Sequence, residues 1–159
     1  MPQLVAKQNR EGLRQNEEKW TLALLQAGWS MIPNVILERQ QALELDSVDV
    51  NIILHLVRHW WTADKLPFPS KRTIAECIGL DPRTIQRHIA ALEKRKLIER
   101  KKRSDKHQGQ KSNYYDLRGL IRQSLPLATE ILEARKKRRE DEAERRTRKK
   151  PRFKIVPTG

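Results

Sequence analysis

Residues 69–100 read PSKRTIAECIGLDPRTIQRHIAALEKRKLIER, and the punctuation in this stretch decides how the chain folds. Ser70 follows Pro69 and can cap a helix, since its hydroxyl can accept an amide hydrogen that the first turn leaves unpaired. Ile74, Ala75 and Ile78 then share one helical face, and Gly79 supplies the left-handed residue that ends such a helix. Leu80 plugs the turn. Asp81 caps a second helix with Pro82 at its first position, where the missing N–H costs nothing. Ile85, Ile89 and Leu92 recur at i, i+4 and i+7, so one side of this helix is apolar while Arg83, Thr84, Gln86, Arg87 and Lys94 occupy the other. Two short helices therefore meet across a tight turn, and the second presents a polar, cationic face.

Working upstream, residues 47–61 predict the helix against which this pair packs. Ser47 is the expected N-cap, Asp49 complements the helix dipole in the first turn, and Val48, Ile52, Leu56 and Trp60 line one face that Ile53 and Val57 widen. Leu66-Pro67-Phe68-Pro69 is an extended connector, because two prolines forbid a helix, with Phe68 as its expected anchor. Residues 19–27 suggest a short helix ended by Gly28. Trp29 to Ile32 should run extended into Pro33, since a residue before proline is pushed out of the helical region. Residues 1–18 are polar and weakly patterned and read as a mobile arm.

Downstream, residues 97–103 read as a strand with Ile98 inward, residues 104–111 as a polar turn, and residues 112–116 as the returning strand. Of Tyr114 and Tyr115, alternation makes one core and the other surface. Helical pattern resumes at Leu117, Leu120 and Ile121, with a break expected near Pro126. A run of alternating charge blocks follows, from Arg135 to Lys150, which i,i+4 pairs can support as an exposed helix but which no apolar stripe ties down. The organisation expected is an arm over 1–18, a compact domain over 19–123 and a charged helical tail over 124–159. The fold class is mainly α with a small β-hairpin and an extended basic C-terminal helix.

Charge narrows the partner. In 159 residues, 34 Lys and Arg stand against 20 Asp and Glu, a net charge of +14, which favours a polyanion and nucleic acid above a membrane surface. No run of about 18 uncharged apolar residues exists, so a spanning helix is excluded. The first residues lack the apolar core of a secretory signal, and the single cysteine, Cys77, can form no internal disulfide. A bacterial-type cytoplasmic protein in a reducing compartment, with Cys77 as a small buried side chain, is the expectation. Nothing matches a nucleophile motif, a phosphate-binding loop or paired carboxylates, so neither an enzyme nor a cofactor is expected. His55 and His59 stand four apart, a spacing that can clamp zinc, but no Cys or acidic third ligand is placed beside them and no metal is assigned.

These residues resemble the winged helix-turn-helix family, in particular the modules of phage and plasmid replication proteins and of small mobile-element regulators. The resemblance covers roughly residues 29–121. It rests on Ile32-Pro33-Asn34, Phe68-Pro69-Ser70, Thr73-Ile74-Ala75 with Gly79, Arg83-Thr84-Ile85 through Arg87, Leu92-Glu93, Leu97-Ile98, and Gly109 to Tyr115. One departure stands at Lys96, where the family often has Gly. A left-handed Lys there costs about 1 kcal/mol unless the exit is built differently.

The resemblance implies that helix 82–95 enters a major groove of double-stranded DNA. Arg83, Thr84, Gln86 and Arg87 would then meet base edges: Arg on guanine, Gln on adenine, Thr on a thymine methyl or a phosphate. A merely solvated face would carry Glu as often as Arg, and none precedes Glu93. Ser70, Lys71, Arg72 and Thr73 sit at a helix N-terminus that can hold phosphate, although Arg72 and Thr73 could equally serve the cap. In the wing, Arg103, Lys106, His107 and Lys111 would meet backbone or minor groove, or else form a loop with no partner. The leading expectation is a transcriptional regulator, nucleoid-associated when bound. It would act as a homodimer joined through residues 19–25 or 120–132. The alternative is a replication or partition accessory protein that binds origin repeats and recruits a protein partner through its tail.

Overall fold

The computed structural model describes residues 14–105, 109–110 and 112–148. Residues 14–20 are helical (α1), followed by α2 (Leu22–Gln26), α3 (Asn34–Glu38), α4 (Ser47–Arg58), α5 (Lys71–Ile78) and α6 (Pro82–Lys94). Strands β1 (Glu99–Lys101), β2 (Ser104–Asp105), β3 (Gly109–Gln110) and β4 (Tyr114–Asp116) come next, and α7 (Arg118–Thr147) follows. No helix among the described residues is long and apolar enough to cross a membrane.

The core forms where α4, α5 and α6 converge. Ile52, Ile53 and Leu56 from α4 meet Ile74 and Ala75 from α5 and Ile85, Ile89 and Leu92 from α6, all fully or almost fully buried. These are the positions that the 3.6-residue period aligns. Leu97, Ile98, Tyr115, Leu117 and Leu120 extend the core beneath the hairpin. In that hairpin β1 and β4 are antiparallel, with Arg100 opposite Tyr115, and β2 and β3 continue it with Ser104 opposite Gln110. Tyr115 is the inward tyrosine; its N–H also donates to the Pro67 carbonyl at 2.8 Å, which ties the connector to the hairpin.

Several local expectations are corrected. The cap of α4 is Asp46 and not Ser47: Asp46 Oδ1 accepts from Asp49 N–H at 2.8 Å and Asp49 Oδ2 returns to Asp46 N–H at 3.4 Å. A reciprocal box needs an acceptor three residues after the cap, and that spacing fits Asp46 with Asp49. Phe68 is 48% exposed; the buried members of the connector are Pro67 and Pro69. Cys77 is exposed, since α5 buries only Ile74 and Ala75. The helix expected over 19–27 is interrupted at Thr21, whose φ is 68°, and α2 buries nothing.

The largest correction concerns α7, which runs unbroken for 30 residues through Pro126, where a break is expected. Proline removes one i to i−4 hydrogen bond and crowds the preceding turn. Here packing holds the helix on both sides of it, through buried Leu120 and Ser124 before and half-buried Leu127 after. Beyond Ile131 every residue of α7 is exposed, and pairs such as Lys136–Glu140 and Arg146–Glu142 run along it.

Candidate nucleic-acid interface

The polar face of α6 is built from the cap upward. Asp81 accepts from Arg83 N–H at 2.7 Å and Pro82 occupies the first turn, which sets the axis of the helix. With Ile85, Ile89 and Leu92 buried, Arg83, Gln86 and Arg87 are exposed and Thr84 is half-buried. Gly79, with φ 76°, lets α5 turn sharply into α6, and Leu80 N–H closes that turn on the Ala75 carbonyl at 3.0 Å.

A second anchor holds α6 from behind. Asp49 is 2% exposed, accepts from the Arg95 guanidinium at 2.6 Å and lies 2.8 Å from His88 Nδ1. Arg95 also donates to the Glu44 carbonyl. A buried carboxylate shared by a mid-helix histidine and the residue at the helix end fixes the rotation of α6 against α4, and so fixes which side chains face outward. Among the described residues, Asp46, Asp49 and His88 are the acidic and histidine groups close enough together to face a cation. The Arg95 guanidinium already occupies one Asp49 oxygen. His55 and His59 do not join them. Burial first, and then neighbouring Arg58, push both imidazoles below the usual histidine range.

An open groove of about 650 Å³ separates the helices from the foot of the hairpin. Ser70, Lys71 and Arg72 form one wall, Pro82, Arg83 and Gln86 the floor, and Ser112 and Asn113 the far side. Ser70 Oγ accepts from Thr73 N–H at 3.0 Å and lies 2.8 Å from Thr73 Oγ1, so both residues serve the cap. Arg72 pairs with Glu76 at 2.8 Å. Lys71 Nζ instead reaches across the turn and donates to Gln86 Oε1 at 2.9 Å.

The residues expected in the wing fare differently. Arg103 lies 4.1 Å above the Phe68 ring and 5.4 Å from that of Tyr114, and the two rings meet edge to face at 5.7 Å. Phe68 is thus a shelf for a cation, and its carbonyl accepts from Ser112 Oγ at 2.8 Å. Guanidinium stacking leaves the N–H edges free to donate. Lys106, His107 and Lys111 lie outside the described residues. Ser112, Asn113 and the Phe68–Tyr114 shelf join the candidate site only in the folded structure. The paired aromatics flanking a basic hairpin were the available signal.

At the far edge, the Arg118 guanidinium holds the Asp116 carboxyl well below the usual carboxylate range, and Lys101 assists at 2.8 Å. Asp116 Oδ1 also accepts from Arg118 N–H at 3.0 Å, which fixes the start of α7. Glu93 is likewise lowered by hydrogen bonding to Arg100, the closest contact being 2.5 Å.

Residues 43–98, which span α4 to the foot of the hairpin, match the family of the helix-turn-helix domain. Together with the β1/β4 hairpin that follows α6, the matched segment has the winged helix-turn-helix fold. Among solved structures it is similar to a "Possible transcriptional regulator from Methanosarcina mazei Go1", at 15% identity and a TM-score of 0.43 over 68% of this chain and 85% of that one. No curated protein matches the chain.

Proposed function

We propose that the chain is a transcriptional regulator that reads double-stranded DNA in a sequence-specific way, with α6 in the major groove and the wing on the backbone or adjacent minor groove. The observation that carries the reading is the split on α6, where Ile85, Ile89 and Leu92 are wholly buried while Arg83, Gln86 and Arg87 stand exposed, with Arg83 and Gln86 lining a groove walled by the N-terminus of α5. A net charge of +14 supports attraction to phosphates, and the helix-turn-helix match supports the geometry. The protein acts by binding, without catalysis.

The chain works as a homodimer. Ile121, Leu125 and Leu132 form an exposed apolar stripe on α7 at spacings of four and seven, which a second copy would cover. Half-sites about one helical turn apart follow from such symmetry. The double variant R83A/R87A should weaken binding to the selected site by about 1–3 kcal/mol per lost contact while non-specific binding persists. Unchanged footprints would sink the assignment of α6. The projecting half of α7 favours a second reading, in which the tail recruits another protein. Removing residues after Ile131 would then abolish function and leave site binding intact.

A further inference from the structure

The contact between Lys71 and Gln86 determines what Gln86 is able to read. A glutamine amide carries an acceptor oxygen and a donor nitrogen, and free rotation lets it match adenine, whose N6 donates and whose N7 accepts. Lys71 can only donate. The amide atom 2.9 Å from Nζ is therefore Oε1, and the Nε2 hydrogens are the part left over for a ligand. An ammonium beside Oε1 also repels the N6 amino group that adenine would bring to that oxygen. The acceptors O6 and N7 of guanine meet no such conflict: Nε2 can donate to one and the Lys71 ammonium to the other. Lys71 is the α5 cation free for this task, because the neighbouring Arg72 is engaged with Glu76 on its own helix. Both partners line the groove between the two helix N-termini, where a base edge would enter if α6 occupies the major groove.

We propose that Lys71 is a specificity-determining residue that acts through Gln86, locking its amide so that the pair selects guanine over adenine. The inference rests on the reading of α6 as the major-groove helix. Its test is selection of sites from randomised duplexes by the full-length chain. Q86A first identifies the base pair that Gln86 reads, as the position whose preference disappears. The native chain should select guanine there. K71M, which keeps the aliphatic stem but cannot donate, should shift the guanine-to-adenine ratio at that position toward adenine by about fivefold or more and leave other positions unchanged. K71R, which still donates, should retain guanine. Selection of adenine by the native chain, or an unchanged ratio in K71M, overturns the proposal. A uniform loss of affinity in K71M with the ratio intact also overturns it, by making Lys71 a phosphate contact. If the native chain binds every duplex equally, the site-reading function fails and this inference fails with it.

Discussion

Two helices of the domain end on a left-handed residue, and they do so by different means. At the end of α5 the residue is Gly79, φ 76°, and a Cβ built there would meet nothing within 4 Å. At the end of α6 it is Lys96, φ 58°. There Leu97 N–H returns to the Leu92 carbonyl at 3.0 Å and Lys96 N–H to that of Glu93 at 2.9 Å, the paired bonds of a Schellman ending. Lysine has no local reason to adopt this conformation, so the reason is tertiary. The start of α7 crosses the turn: Leu120 N–H donates to the Leu97 carbonyl at 2.7 Å, and Gln123 Nε2 donates to the carbonyls of Arg95 and Lys96 at 2.9 and 3.3 Å. The first turn is made by its own residues, while the second is imposed by a helix that begins twenty-two residues later, at Arg118.

The largest effect should come from breaking the imposed turn. A Cβ on Gly119 would lie 2.1 Å from the Lys96 carbonyl oxygen and 2.8 Å from that of Leu97. Both are backbone atoms that cannot swing aside. Gly119→Ala should therefore cost about 3 kcal/mol or more, read as a fall in the midpoint of chemical denaturation. Survival of full stability would mean that α7 does not sit on the Lys96 turn.

Exchanging the two turn residues should then produce smaller effects of opposite sign. Gly79→Ala meets open space, so its cost is the left-handed strain alone, about 1–2 kcal/mol. Lys96→Gly relieves the same strain and should gain somewhat less, about 0.5–1 kcal/mol, because glycine also loosens the unfolded chain. Thermal melts of the two variants should move apart. If Lys96→Gly destabilises, the lysine side chain must contribute something beyond occupying the position.

The same contrast explains what could be read in the sequence. Gly79, Asp81 and Pro82 act within a few residues of one another, and the turn they write is the one observed. The buried stripes of α4 and α6 were legible for the same reason. Lys96 was legible only as an anomaly, since its support comes from Gly119 and Gln123. Pro126 signals a break that does not occur, because its cost is local whereas the packing of Leu120, Ser124 and Leu127 that overrides it is not. Of the candidate interface, the outward residues of α6 follow from periodicity. The contact between Lys71 and Gln86 joins residues fifteen apart, and the shelf of Phe68, Tyr114 and Arg103 joins three segments. No window of sequence places either.

The smallest change of shape, and the one that most sharpens the comparison, concerns the residue that starts α7. Asp116 is buried, accepts from Arg118 N–H and the Arg118 guanidinium, and bonds Lys101. Its carboxyl is held below the usual range, so the folded state favours the charged form. That contribution is fully present above the unfolded value, about 3.9, and is lost as pH falls below it toward the depressed native value. Asp116→Asn keeps the shape and an oxygen for the Arg118 amide but removes the titration. Stability measured between pH 6 and pH 2 should therefore fall less steeply in Asp116→Asn than in the native chain. In Gly79→Ala the acid limb should keep the native slope, because that turn owes nothing to α7. An identical acid limb in Asp116→Asn and the native chain would show that the start of α7 is held by packing alone, and the imposed turn at Lys96 would then depend on Gly119 and Gln123 without electrostatic help.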